Sequence, residues 1–408
     1  MVASVVPHRD LCTDCGISRT ADPKRCGRAC QFIKPHYAQL EQQVHGRSRD
    51  PQRPDERFFG CFQAMFKAYL HEPRCGAQWT GITTRIAERL LETNAVDAVL
   101  TMRADPQDRW RPQPVLVTQA TEMAECRGMR MGYAPLLSLL EPAVQQGHRR
   151  LAVIGIPCQV YALRALQHEW GLERLDVIGI PCSDNTTTER FHQFLALLSD
   201  QPETIEYLEF RADYHVELRF NSGEIREIPF LKLPISQLPP DFFPLTCQSC
   251  VDYTNALADI TVGYMGGEGQ QWVVVRNQRG KALLDLLSAE LTSAPAGSAG
   301  KRQAPVRGFM RNVERAAGGL PIRGTPNWLR PLVAWLMPKI GPRGLEFARA
   351  RVEMKAIETV LHLRRQRPRR IRHMIPPHVW DLVQPYGLHA QRGERNDLDE
   401  NISEHRKP

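Results

Sequence analysis

The sequence predicts an α/β protein with an α+β insert: a mainly parallel sheet with flanking helices, a cysteine-bearing N-terminal segment, an antiparallel insert and a helical C-terminal extension. Three observations carry this. Apolar runs of strand length alternate with stretches of helical spacing between residues 81 and 198, the pattern of a parallel sheet with crossover helices. Two alternating stretches flank Asn221-Ser222-Gly223, the signature of a β-hairpin. Eight of eleven cysteines fall in small groups, and two of these are each preceded by the same Ile-Gly-Ile-Pro phrase.

Taken in order, residues 81–93 place Ile82, Ile86, Leu90 and Leu91 at helical spacing, and Val96–Met102 reads as the next strand. A helix is expected near Leu136–Gln146, a strand at Leu151–Ile156, a helix over 160–170, a strand at Asp176–Ile180 and a helix over Thr188–Leu198. The two IGIPC strands are apolar throughout, as strands buried on both faces are. The hairpin near Asn221 forms the insert. Asp259–Tyr264 and Gln271–Arg276 are further strands around the glycine-rich stretch Met265–Gly269, which suits either close approach to a cofactor or an ordinary turn. Gly, Pro, Ala and Ser crowd Ser293–Pro326, which reads as linker or loop. Leu329–Ile340 is an apolar cluster, and Gly344–Leu363 has helical spacing with many charges. Residues 391–408 read as a disordered tail.

The 408 residues suit two domains plus extensions, with 42% hydrophobic and 24% charged residues. No apolar run is long enough to span a bilayer, and the first residues lack the basic and apolar regions of a secretory leader, so a cytoplasmic protein is expected. The net charge of +8 is uneven: from Lys301 onward 22 Lys and Arg face 10 Asp and Glu. That basic tail is either simply solvated or aimed at an acidic protein or an anionic membrane surface. Nucleic acid is disfavoured, because no recognition motif or aromatic interleaving accompanies the charge.

An odd cysteine count without secretory context argues against a disulfide framework and leaves metal binding, catalysis or packed thiols. Cys12 and Cys15 form a Cys-x-x-Cys followed by Gly16, with Cys26 and Cys30 close behind. Four thiols so spaced suit zinc or an iron–sulfur cluster, and spacing alone leaves both open. Cys158 and Cys182 each end an Ile-Gly-Ile-Pro-Cys phrase, just past the C-terminal end of a strand, where open α/β sheets bind ligands. Cys247 and Cys250 add a second Cys-x-x-Cys, and these four together suit one cluster. Cys61, Cys75 and Cys126 lack such company and read as packed thiols.

The stretch Cys247–Gly266 (CQSCVDYTNALADITVGYMG) resembles the beta subunits of deazaflavin-coenzyme hydrogenases and dehydrogenases, and the Gly-Ile-Pro-Cys158-Gln phrase fits the same family. The resemblance covers roughly residues 5–285. Within it, CTDCG at the N-terminus, CSDN at Cys182–Asn185 and GPRGLEFAR near the C-terminus are similar to a chlorophyll branch: the ferredoxin-dependent 8-vinyl reductases and the related 7-hydroxymethyl chlorophyll a reductases.

That resemblance implies FAD, two [4Fe–4S] clusters and electrons from reduced ferredoxin. One cluster would be held by Cys158, Cys182, Cys247 and Cys250, the other by Cys12, Cys15 and Cys30 with Cys26 as fourth ligand. FAD would be held by Gln78, Thr80, Gly81, Thr83, Arg130, Tyr133 and the loop around Gly266. The substrate would be a divinyl chlorophyllide-type tetrapyrrole. Asp184 and Tyr253, beside cluster ligands, are candidate proton donors, although Asp184 also suits a helix cap. The implied domains are residues 1–70 (iron–sulfur segment), 71–290 (flavin and iron–sulfur catalytic domain), 291–390 (basic helical extension) and 391–408 (tail). The alternatives are a 7-hydroxymethyl chlorophyll a reductase-like activity and a flavin- and iron–sulfur-bearing subunit that hands electrons to a larger complex. Peripheral contact with photosynthetic membranes and a homo-oligomer both remain compatible with the sequence.

Overall fold

In a computed structural model the chain is described over residues 11–211, 214–234, 237–239, 241–264, 270–316, 326 and 328–395. Strands β1 (Ala64–Leu70), β2 (Ala98–Asp105), β3 (Asp108–Val117), β4 (Arg150–Gly155) and β5 (Arg174–Gly179) come first. The insert supplies β6 (Ile205–Phe210), β7 (His215–Phe220) and β8 (Ile225–Pro229), followed by β9 (Ile260–Gly263), β10 (Gln271–Val275) and β11 (Leu291–Pro295). The main sheet has the order β11-β1-β10-β9-β5-β4-β2-β3. Its centre is parallel, from β2 through β4 and β5 to β9. Both flanks are antiparallel: β3 on β2 at one side, and β10, β1 and β11 at the other.

The parallel centre follows from the sequence. All but the first residue of β4 and of β5 is buried, because helices cover both faces. On one face the helix Ile82–Glu92 sets Ile82, Ile86 and Leu90 against Val99, Ile154, Ile178 and Val262. On the other, Leu136, Leu140, Val160 and Leu163 meet Leu100, Leu151, Val153 and Val177. Each fully buried Leu or Ile contributes about 1.5–3 kcal/mol. The antiparallel flanks are not legible in periodicity, which reports burial and not strand order.

The insert forms a separate three-stranded sheet, β6-β7-β8, turning at Asn221–Gly223 as expected. It packs Leu208, Val216 and Leu218 against Phe191, Phe194 and Leu195 of the helix Thr188–Ala196.

Two expectations change. Ser293–Pro326 is not all linker: β11 pairs with β1, and Gln303–Ala316 is a helix. Val306, Phe309, Met310 and Val313 are its apolar positions, and Pro305 lies in the first turn, where proline is tolerated. β1 ends at Leu70 and β11 begins at Leu291, at the two boundaries expected from the sequence. Cys75 is exposed, so it is not a packed thiol, whereas Cys61 is buried.

The C-terminal helices Leu345–Gln366 and Pro377–Val383 share one core with the N-terminal Phe58 and Phe59 and with Trp272 of β10. The tail begins folded, since Glu394 accepts hydrogen bonds from Arg364 at 2.9 and 2.7 Å. Residues 396–408 lie outside the described residues.

Candidate metal and redox site

The β4/β5 register aligns Gly155 with Gly179. Cys158 and Cys182 each follow three residues later, so the repeated phrase puts two thiols at matching places on neighbouring strands. Cys158 also lies in the first turn of the helix Pro157–Ala165, where unpaired N–H groups favour negative charge. Asn255 fastens both turns. Its buried amide donates to the Gly155 carbonyl at 2.8 Å and the Ile180 carbonyl at 3.3 Å. Its φ of 59° is one that asparagine tolerates better than most residues. Gly179 is required here, because a Cβ would stand 2.6 Å from the Ala258 Cβ and 2.8 Å from the Asn255 amide. Cys247 and Cys250 bracket a tight turn closed by Cys250 N to the Cys247 carbonyl at 3.2 Å. The Cys182 amide donates to the Tyr253 carbonyl at 3.0 Å, tying this turn to the strand ends.

Burial pushes all four thiols up, and neighbouring thiols add to the rise at Cys158, Cys182 and Cys250. Cys247 is pushed to about 11 by burial and Asp184. Cys250 is pushed to about 12 by burial, Asp252 and Cys247, with Lys355 opposing. Donors already face the sulfurs: the Asn185 amide at 3.4 Å and the Tyr133 hydroxyl at 3.6 Å from Cys247 Sγ, and Gln31 Nε2 at 3.6 Å from Cys250 Sγ.

The N-terminal thiols form a second group. Burial pushes Cys15 to about 12, with Cys30, Cys26 and Cys12 adding to the rise. Cys30 is pushed to about 11 by burial, then by Cys26 and Cys12. Cys26 is thus gathered with the other three. The turn that brings them together needs Gly16, whose φ is 107° and whose Cβ would lie 2.4 Å from Ser138 N. Arg19 holds Asp14 with two hydrogen bonds at 3.0 and 2.7 Å, and the Leu137 amide donates to the Cys15 carbonyl at 2.9 Å. The two groups adjoin: Cys15 is among the charges that raise Cys158, and Gln31, next to Cys30, reaches Cys250.

All eleven cysteines are free thiols. Among the described residues, no three His, Cys, Asp or Glu side chains converge tightly enough for one metal ion. A single zinc draws its sulfurs to about 2.3 Å from one point. A cluster spreads its thiolates around a larger body of iron and sulfide. Burial, before mutual charge, is what raises these thiols, and either a zinc ion or a cluster core would offset the charge of the buried thiolates.

Behind the sheet-end group lies a network the sequence reading missed. Lys355 is 1% exposed. It donates to Asp184 Oδ1 at 2.8 Å, the Cys247 carbonyl at 2.5 Å and Glu358 Oε2 at 3.0 Å. Arg351 stands 3.6 Å from Asp184. The signal was present: Lys355 interrupts the buried stripe Ala348, Val352, Thr359 and His362, spaced by threes and fours. Asp184 does not cap the following helix; Thr187 does, accepting from Arg190 N at 3.2 Å. Tyr253 is buried and donates to the Tyr264 carbonyl at 3.1 Å.

The expected flavin residues are divided. Gln78–Gly81 is a tight turn, and Gly81 has φ 84°. The Thr80 hydroxyl accepts from Leu70 N at 3.1 Å and donates to Gln271 at 3.2 Å, while Ile82 N donates to Gln271 at 3.3 Å. Part of this helix start is therefore already occupied. Thr83 follows in the first helical turn. Arg130 donates to the carbonyls of Glu125, Cys126, Arg127 and Gly128, which shapes its own loop. Tyr133 stands beside the Cys247 thiol. Gly266 lies outside the described residues. A row of rings runs from the turn to the C-terminal helix: Trp79 to Tyr264 at 5.9 Å, Tyr264 to Phe347 at 5.2 Å, and Phe347 to Tyr214 at 5.6 Å. Among the described residues, no helix is long and apolar enough to cross a membrane.

Comparison with known proteins places these features. Residues 65–141 match the N-terminal and residues 148–296 the C-terminal model of the coenzyme F420 hydrogenase/dehydrogenase beta subunit. The chain is 38% identical to a chloroplastic 7-hydroxymethyl chlorophyll a reductase of Oryza sativa subsp. japonica, over 94% of this chain and 84% of that protein. It is 37% identical to an uncharacterized protein of Nostoc sp., over 94% and 95% of the two chains. A chain of the F420-reducing [NiFe] hydrogenase complex from Methanosarcina barkeri shares the fold, with a TM-score of 0.54 and 19% identity, over 75% of this chain and 92% of that one.

Proposed function

The chain belongs to the coenzyme F420 hydrogenase/dehydrogenase beta-subunit family, and from that premise we propose that it is a ferredoxin-dependent reductase of the chlorophyll branch, holding FAD and two [4Fe–4S] clusters. Its reaction is reduction of the 8-vinyl group of divinyl chlorophyllide or protochlorophyllide to ethyl. The observation that carries the redox reading is the adjoining pair of four-thiol groups, bridged by Cys30, Gln31 and Cys250.

Cys158, Cys182, Cys247 and Cys250 would hold one cluster, and Cys12, Cys15, Cys26 and Cys30 the other. When bound, the clusters supply one-electron relays and the flavin a two-electron store, which reconciles a one-electron donor with a reduction needing two electrons and two protons. The chain's own residues do the rest. The Asn185 amide, Tyr133 and Gln31 direct hydrogen bonds at sulfur, a lever on cluster potential. Lys355 sets a buried positive charge behind the Cys247–Cys250 turn. Trp79, Tyr264 and Phe347 offer apolar surface for a flat pigment. Tyr253 and Asp184 are the candidate proton donors, and Asp184 is already committed to Lys355 and Arg351.

A second reading, reduction of a 7-hydroxymethyl group, is favoured by the near full-length likeness to the rice enzyme. One experiment separates them. The protein is purified without oxygen, its absorption spectrum is recorded, and reduced ferredoxin is supplied with each pigment. The 8-vinyl reading requires a monovinyl product from divinyl chlorophyllide. Turnover of 7-hydroxymethyl chlorophyll a alone would replace it, and a protein without iron or flavin would overturn both.

A further inference from the structure

Among the described residues, the most exposed large apolar side chains gather on and just ahead of the helix Arg330–Ile340. Trp328, just ahead of it, is 78% exposed, Trp335 and Ile340 are each 61% exposed, and Leu332 is 55% exposed. At 100° per residue, Leu332, Trp335 and Lys339 fall along one line of the helix, and the exposed ring of Trp328 stands in the turn just ahead of it. Lys339 Nζ lies 3.7 Å from the centre of the Trp335 ring, so the ridge ends in a cation. The helix also packs on the turn Phe230–Lys232 of the insert, which gives the ridge a firm base.

The sequence running through this ridge carries charge of one sign. Residues 315–345 hold Arg315, Arg323, Arg330, Lys339 and Arg343 and no Asp or Glu. A second copy docking through the same face would bring like charges together with no carboxylate to offset them. A protein partner would bury its anchors in pockets, whereas these rings stand on a convex ridge. Tryptophan and leucine on one line with a lysine at its edge are the chemistry of a helix lying in a lipid headgroup layer. Eleven residues are too few to span a bilayer, so the helix would lie flat.

We propose that the ridge Trp328–Leu332–Trp335–Lys339 docks this protein onto an anionic membrane surface. Docking would place the chain where apolar pigments partition. The inference stands apart from the pigment reading, because lipid binding needs no substrate.

The test is flotation of the full-length, cofactor-loaded protein with two kinds of vesicle: pure phosphatidylcholine, and phosphatidylcholine with roughly a third phosphatidylglycerol. The parent should float with the anionic vesicles, and less so as salt is raised. The Trp328→Ser/Trp335→Ser variant should lose at least about tenfold in partitioning. Lys339→Glu should weaken binding to anionic vesicles selectively, with iron content and circular dichroism unchanged in both variants. A parent that stays in solution overturns the proposal. So does a double variant that floats as well as the parent, or one that instead converts a dimer to a monomer in sedimentation.

Discussion

Replacing Lys355 by methionine would show how much of the molecule rests on one buried charge. Its ammonium faces Asp184 at 2.8 Å and Glu358 at 3.0 Å, in a pocket that leaves the lysine side chain 1% exposed. Methionine fills the same volume and leaves two carboxylates facing each other. Removing one partner of a buried ion pair typically costs about 3–5 kcal/mol. Burial pushes Glu358 from 4.5 up to about 7, with Lys355 pulling it back down. A carboxyl raised on folding keeps a proton that the unfolded chain releases, so it subtracts stability as pH rises through this window. Without Lys355 the carboxyl rises further, and the loss deepens above neutrality. The deficit should therefore be near its full size at about pH 8 and clearly smaller at about pH 5, where Glu358 is protonated. Urea midpoints read by far-ultraviolet circular dichroism, at a common slope, give the difference. Adding Glu358→Gln should return part of the loss at the higher pH. A deficit under about 1 kcal/mol at the higher pH, or one equal at both, would refute the account of a charge held by two carboxylates.

Cys158→Ala should remove the sheet-end cluster and spare the other, so iron and sulfide per chain should fall by about half; an unchanged iron content would exclude Cys158 as a ligand. Gly16→Ala, with its Cβ forced to 2.4 Å from Ser138 N, should open the N-terminal turn and lower iron content in the same assay. Gly280→Ala places a Cβ at 1.9 Å from the Asp259 carbonyl, so the helix Gln278–Asp285 must lift from β9; a loss of about 3 kcal/mol or more in urea is expected. Burial lowers His362 from 6.5 to about 4, so its contribution is present above 6.5 and lost as pH falls towards 4. His362→Met should reduce that acid sensitivity by up to about 3 kcal/mol relative to the parent, measured as urea midpoints across the window.

What the sequence disclosed was local. The two IGIPC phrases announced matching strand ends, and the Gly155–Gly179 register bears this out residue for residue. The alternating insert was equally plain, because a period of two survives in isolation. Contacts between distant segments were not legible. Lys355 reaches Cys247 across 108 residues, and only its oddity in a buried stripe hinted at it. The Gln303–Ala316 helix hid behind the glycine and proline that surround it. That the Tyr133 hydroxyl lies beside Cys247 was likewise not legible, since the two are 114 residues apart.

Asn255 carries a consequence for electron transfer itself. One amide holds the backbone just ahead of both Cys158 and Cys182, and the Cys182 amide is pinned in turn to Tyr253. Sulfurs hung on such a frame have little room to shift when a charge arrives or departs. The less the ligands must rearrange, the smaller the barrier to each electron hop. If these sulfurs hold a cluster as proposed, the hydrogen bonds that fix this corner of the sheet would also bear on how fast it passes electrons.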